Sequence, residues 1–337
     1  MKQRVFYLDF LRVFAIAMVL ALHSINSYIL RPDLYGTASW YVNLIINAFA
    51  RTGVPIFLMI SGCLMLTSDK TGNFKQFYKK SLLHILIPLL FWNVAYFVFR
   101  CAMGYADFDM KTLLSDLINA GSEYHLWYLY SLVGIYLIAP FLKILVDYCT
   151  MRQQLLLLLL MMFGTTIRPF INTVTPVYIY LFDPLFNGYL SCFLMGYILS
   201  KGKSNRKNAG IFALIGLICV VVSVLFHDRA SSNGGIDLIF NNGYSLPHYF
   251  LAASVFVIIK FIFEHKSICK NFIALLSRCS FGIYLVHVAV MELVVRYFMV
   301  NTSPILASAY LFAVTFVVSF VISFALSKIK YVKRLVL

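Results

Sequence analysis

Three ionisable side chains, Asp9, Arg12 and His23, sit inside the first apolar run of this 337-residue sequence. A neutral imidazole can take a proton from a hydroxyl near neutral pH. A guanidinium forks onto a phosphate or carboxylate. Eleven positions separate Arg12 from His23, which on a helix leaves both on one face, about 16 Å apart along the axis. Asn26 and Ser27 follow on the next turn, completing a polar stripe that nearly crosses a bilayer. In the second apolar run Asn47 and Arg51 precede Gly53 and Pro55, residues that free main-chain carbonyls and bend a spanning helix. Lys79, Lys80 and His84 open a third run ahead of Pro88, and Glu123 and His125 open a fourth beside Trp127 and Tyr128. Farther on, His287 lies one turn past Tyr284, and Glu292 and Arg296 are spaced to neutralise each other as an i,i+4 pair.

Each of these groups has a plain structural reading as well. Asp9 could make an interhelical hydrogen bond, Arg51 could be a paired arginine at a packing kink, and Lys79 and Lys80 could be interfacial anchors. An ionisable group within a membrane span is costly, so function is the default reading for Arg12 and His23.

The elements that position these residues are membrane helices. Hydrophobic residues make up 61% of the chain and charged residues 12%, about half the charge of a soluble domain. A helix needs about 20 mostly apolar residues to span hydrocarbon. Ten such stretches are expected, at 5–28, 40–67, 81–100, 125–146, 154–171, 184–200, 209–226, 248–264, 279–299 and 305–327. The fold class is therefore all-α, a polytopic transmembrane bundle read as one domain over residues 1–337. A water-soluble enzyme and a disordered chain are both excluded. Lys2, Arg4, Lys70, Lys75, Lys143, Lys201, Lys260, Lys328 and their neighbours fall on alternate connections, while Asp33, Asp107, Asp109, Asp183 and Asp237 fall on the others. The positive-inside rule then puts both termini in the cytoplasm.

The net charge of +15 fits anionic lipid headgroups better than nucleic acid. Seven scattered cysteines give neither a disulfide framework nor a zinc site, and no metal is expected. The first run is too long for a signal-peptide core and is kept as a span. Walker, HExxH, GxSxG and strand-borne GxGxxG motifs are missing. What remains is imidazole and guanidinium in a helical membrane protein, suited to deprotonating an acceptor hydroxyl while cations hold an anionic donor.

At these positions the sequence resembles the acyltransferase-3 family of integral membrane O-acyltransferases. The resemblance rests on Asp9-Phe10-Leu11-Arg12 with His23 ten residues beyond, on Arg51-Thr52-Gly53-Val54-Pro55 through Ser61-Gly62, on His125-Leu126-Trp127-Tyr128 leading to Pro140, and on Ser280-Phe281-Gly282-Ile283-Tyr284 to His287. These blocks occur in order and are spread over almost the whole chain. It is most similar to the membrane-domain-only O-acetyltransferases of surface glycans, such as the type acting on enterobacterial common antigen. The chain departs from the family in having lysines, Lys79 and Lys80, where an arginine pair is common.

The resemblance implies an enzyme of the inner (plasma) membrane that moves an acyl group, most often acetyl, from cytoplasmic acyl-CoA to a carbohydrate hydroxyl at the outer face. That carbohydrate would be a cell-surface or lipid-linked one. Acetyl-CoA would be the cosubstrate, with membrane lipids as further partners and no nucleic acid. Under that reading Arg12, with Lys79 or Lys80, holds CoA phosphates, and Asp9 fixes Arg12. His23 is the general base or a transient acyl carrier, and Arg51 stabilises an oxyanion or orients His23. Glu123, His125, Tyr284 and His287 belong to the acceptor side or support the centre. Two rivals stand beside it. A transporter or flippase of a lipid-linked glycan would show paired broken helices, whereas one strong break is visible. A membrane sensor or scaffold would not need the Arg12–His23 stripe.

Overall fold

A computed structural model describes residues 5–29, 31–119, 121–175, 188–232, 245–300, 302–330 and 332–335. These residues form helices and turns, with no strand among them. In chain order the helices are α1 (Phe6–Ile29), α2 (Ala38–Ala50), α3 (Gly53–Leu66), α4 (Phe74–Ala102), α5 (Met110–Ile118) and α6 (Trp127–Tyr148). They continue as α7 (Met151–Asn172), α8 (Gly188–Lys201), α9 (Arg206–Ser232), α10 (Leu246–Phe263), α11 (Lys270–Tyr297) and α12 (Pro304–Lys328).

Nine segments among the described residues are long and apolar enough to cross a membrane, with α2 and α3 together forming one of them. The chain is an all-α, polytopic membrane protein. Nine of the ten expected spans match those segments. The tenth, expected at 184–200, begins outside the described residues, and its described part, α8, is 14 residues long. The acids Asp183 and Asp237 and the basic residues Lys2 and Arg4 also lie outside the described residues. Two helices carry a wide π-type turn, α4 at Tyr78–Leu82 and α7 at Phe163–Ile167. Such insertions widen a helix locally and shift the face it presents.

Two compact units emerge. The first comprises Met1–Thr67, Tyr148–Ser277 and Val300–Phe312; the second comprises Ser68–Asp147, Arg278–Met299 and Ala313–Leu337.

In the first unit, tight helix contacts are made through glycine. A Cβ on Gly62 would fall 1.7 Å from the Phe193 carbonyl oxygen of α8, and one on Gly196 would fall 2.0 Å from the Met59 carbonyl oxygen of α3. The backbones of α3 and α8 therefore touch, as small residues allow in lipid, where dispersion rather than water expulsion joins helices. Gly53 does the same against α1, since its Cβ would meet the Ala15 carbonyl oxygen at 2.8 Å and Val19 at 3.0 Å. At the far end of α2, Trp40 Nε1 donates to the Ile29 carbonyl at 3.2 Å, inside a cluster of Ile25, Ile29, Trp40 and Leu44. These two contacts make α1 and α2 antiparallel. Lys260 of α10 is buried and donates to the carbonyls of Ser200 at 2.7 Å and Gly202 at 2.8 Å, closing the carbonyl end of α8.

In the second unit, Asn93 of α4 accepts from the Ser122 amide at 2.9 Å, and Arg100 donates to the Ser122 carbonyl at 3.0 Å. Together they fix the approach to α6. Ser323 of α12 donates to the Cys279 carbonyl of α11 at 3.1 Å. Glu292 and Arg296 do not pair as expected. Glu292 accepts from the Tyr105 hydroxyl, and Arg296 donates to the Met103 carbonyl at 3.1 Å. The turn after α4 reaches both side chains, and a main-chain carbonyl competes well for a guanidinium.

Candidate functional site

The first unit holds Asp9, Arg12, His23 and Arg51. Helix α1 runs unbroken from Phe6 to Ile29, so the eleven-residue spacing does place Arg12 and His23 on one face, about 16 Å apart. Asp9 is buried and receives two hydrogen bonds on the same oxygen. The Ser277 hydroxyl of α11 donates at 2.6 Å, and Arg12 Nη1 donates at 3.5 Å. The anticipated interhelical bond of Asp9 and its hold on Arg12 are therefore both present. Arg12 keeps part of its surface open while its carboxylate partner is fixed to α11.

Arg51 owes its position to a local failure of the helix. Pro55 has no N–H, so it cannot bond the Arg51 carbonyl four residues back. The Thr52 hydroxyl turns to the Phe49 carbonyl at 2.6 Å, α2 stops at Ala50, and α3 restarts at Gly53. Gly53 then presses against Ala15 and Val19. On α1 Val19 is seven residues from Arg12 and four from His23, so all three share one face to within about 40°. The stripe thus faces the break. Arg51 interacts electrostatically with the His23 ring, and also with Tyr189 of α8.

Two residues of α2 join this description. Asn43 and Asn47 are 1% and 0% exposed, and none of their four side-chain polar atoms has a hydrogen-bond partner. The Gly53 contact and the Trp40–Ile29 bond fix their height. Counting about 1.5 Å per residue from either contact puts Asn47 level with His23, and Asn43 one turn nearer Trp40. Sequence reasoning noted Asn47 and missed Asn43. Its i,i+4 spacing from Asn47, and i,i+8 from Arg51, was the available signal.

The second unit gathers His125, Tyr284 and His287, which sequence reasoning singled out from positions about 160 residues apart. His125 and His287 ring centroids are 5.2 Å apart, and Tyr284 lies 5.5 Å from His125. The Tyr284 hydroxyl donates to the His125 carbonyl. His287 Nδ1 lies 2.5 Å from the Tyr284 carbonyl, which can only accept, so Nδ1 carries the proton. Tyr96, which the sequence did not suggest, stacks edge-on against His125 at 4.9 Å and donates to the Leu285 carbonyl at 2.8 Å. Tyr128 closes the group 5.4 Å from Tyr284. Glu123 accepts from the Tyr124 amide at 3.2 Å, and burial pushes its carboxyl above the ordinary range. Lys79, Lys80 and His84 are exposed, the two lysines on the wide turn of α4. No cluster of metal-ligating side chains occurs among the described residues.

Comparison with known proteins agrees over nearly the full length. The family model described as an acyltransferase domain, of the acyltransferase-3 type, matches residues 5–327. Proteins of Staphylococcus aureus named "Probable poly-beta-1,6-N-acetyl-D-glucosamine export protein" are 23% identical over 325 residues, covering 93% of this chain and 90% of theirs. An "Amino-acid racemase" of Enterococcus faecalis is 31% identical over 149 residues, 42% of this chain and 20% of that protein. A "Serine/alanine racemase" of Enterococcus gallinarum is 28% identical over 234 residues, 64% of this chain and 32% of that protein. No solved structure matches.

Proposed function

Since this chain belongs to the acyltransferase-3 family, we propose that it is an O-acetyltransferase of the plasma membrane, moving acetyl from cytoplasmic acetyl-CoA to a hydroxyl of an envelope carbohydrate. The observation that carries the reading is the facing of His23 and Arg51 where α2 breaks. His23 takes the proton of the acceptor hydroxyl as its oxygen attacks the thioester carbonyl carbon. Arg51 balances the oxyanion that forms. The carbon–sulfur bond then breaks, and the departing CoA thiolate receives the proton from His23. The alternative order, with acetyl resting on His23 before transfer, uses the same residues. Arg12, oriented by Asp9 and Ser277, is assigned to the CoA phosphates. Lys79 and Lys80, exposed on the second unit, are point charges without arginine's fork.

Radiolabelled acetyl-CoA and envelope glycans, added to purified protein in liposomes, test the proposal. His23→Ala should lower transfer by about 10²- to 10⁴-fold. Arg12→Lys should raise the donor KM while leaving kcat near wild type. Transfer untouched by His23→Ala removes the assigned base. A second reading, export of a poly-N-acetylhexosamine, is favoured by the name borne by the Staphylococcus aureus relatives. Glycan movement across the liposome without acetyl transfer would select it.

A further inference from the structure

We infer that Asn43 and Asn47 form the acceptor subsite, a pair of carboxamides that hydrogen-bond the hydroxyl and acetamido groups of a neutral sugar beside His23. This rests on the proposed direction of transfer and adds to it the groups that hold the sugar. Both side chains are enclosed, and both amide nitrogens and both amide oxygens lack partners. Enclosed polar atoms are nearly always satisfied, so an unmatched set on one helix face marks a place where a ligand completes the bonding.

The chemistry of that ligand follows from the inventory. Two carboxamides offer four N–H donors and two acceptor oxygens. A phosphate only accepts and would leave both oxygens unmet. An acyl chain would meet none of them. A hydroxyl donates and accepts at one atom, and an acetamido group does so at two. Two sources carry such neutral groups, the sugar acceptor and the pantetheine arm of the donor. Position favours the sugar. Arg12 lies about 16 Å from His23 in one direction along α1, whereas Asn43 lies about 6 Å beyond the level of His23 in the other. A donor whose phosphates rest on Arg12 brings its thioester up to His23 and ends there. The carboxamides start at that level and continue away from it.

The test is binding of a tritiated β-1,6-linked N-acetylglucosamine hexamer to the full chain in detergent, with acetyl-CoA as the second probe. The Asn43→Leu/Asn47→Leu protein keeps the volume and removes the polar atoms. It should bind the hexamer about thirtyfold more weakly, the loss of roughly two hydrogen bonds, while binding acetyl-CoA as wild type does. Its melting temperature without ligand should equal or exceed that of wild type. Hexamer binding that is equal in both proteins, or absent from both, overturns the inference. Loss of acetyl-CoA binding in a variant that melts normally overturns it as well, by moving the carboxamides to the donor arm. If the variant does not fold, competition on wild type decides: an O-permethylated hexamer, which has lost its hydroxyl donors, should fail to displace the label, and full displacement overturns the inference. Hexamer binding of the stated kind without acetyl transfer would defeat the transferase reading alone. Transfer intact, with hexamer binding indifferent to the asparagines, would defeat the subsite alone.

Discussion

His23 in the first unit and His287 in the second are both imidazoles on apolar helices, yet their surroundings differ in kind. His287 gives its Nδ1 proton to a main-chain carbonyl and stands among Tyr284, Tyr96, Tyr128 and His125, whose hydroxyl bonds also end on main chain where they are seen. His23 stands beside a guanidinium at a broken helix, level with Asn47 and one turn from Asn43, whose carboxamides bond nothing. Polar groups tied to main chain hold helices in register. Polar groups left open at a break are a burden on folding, about 1–3 kcal/mol for each buried group without a partner. Such a burden persists where a ligand removes it. The main-chain bonds of Tyr284, Tyr96 and His287 suit a helix-positioning role for the second cluster, and the first unit holds the proposed reaction centre.

The most drastic way to break the comparison is to disturb the packing on which the first unit depends. Gly62→Leu must displace the Phe193 carbonyl, which has no room to give, so the variant should yield no monodisperse protein on size-exclusion chromatography. The second unit offers a control in Gly134, where a Cβ meets nothing within 4 Å. Gly134→Ala should therefore leave yield and elution unchanged.

A sharper contrast compares the histidines directly. His23→Ala should abolish most transfer while moving the melting temperature little. His287→Ala removes a fully buried ring from an aromatic cluster, and should destabilise the protein by about 2–4 kcal/mol in detergent, read as a lower melting temperature. An equal loss of transfer at matched stability would place His287 in the chemistry.

Smaller again is Ser277→Ala. It removes the 2.6 Å bond to Asp9 but leaves the Arg12–Asp9 contact in place. The donor KM should rise severalfold with kcat unchanged, and stability should fall by about 1–3 kcal/mol. A change confined to kcat would detach Asp9 from donor binding.

Much of this was legible in the sequence, for physical reasons that can be named. Helix periodicity is rigid, so eleven residues sufficed to put Arg12 and His23 on one face. Pro55 cannot donate, so the break near Arg51 could be read from residue type. What periodicity does not carry is the identity of partners on other helices. Ser277 is one hydroxyl among many, and nothing local marks it as the donor to Asp9. Lys260 entered only the charge count, which is blind to a carbonyl end packed against it. Glu292 and Arg296 had the spacing of a pair, but the turn at residues 103–105 offered each a better-placed partner. Asn43 went unnoticed, and residue type alone does not tell an asparagine that bonds a neighbouring helix from one that does not.

The smallest effect concerns Glu123 at the threshold of α6. Burial raises its carboxyl above the ordinary range, so the folded protein resists the ionised form. An unfolded glutamate ionises near pH 4.3. Below that pH both states are protonated and stability is undiminished. As the pH climbs toward the raised folded value, the unfolded chain gains ionisation that the folded one does not, and stability is lost. Glu123→Gln keeps an oxygen for the Tyr124 amide and cannot ionise. The melting temperature of wild type should therefore fall relative to this variant as pH is raised from about 4, and the gap should level off once the folded carboxyl ionises. Parallel melting curves across that range would mean that the carboxylate is well solvated, and would return Glu123 to the set of groups able to meet an acceptor.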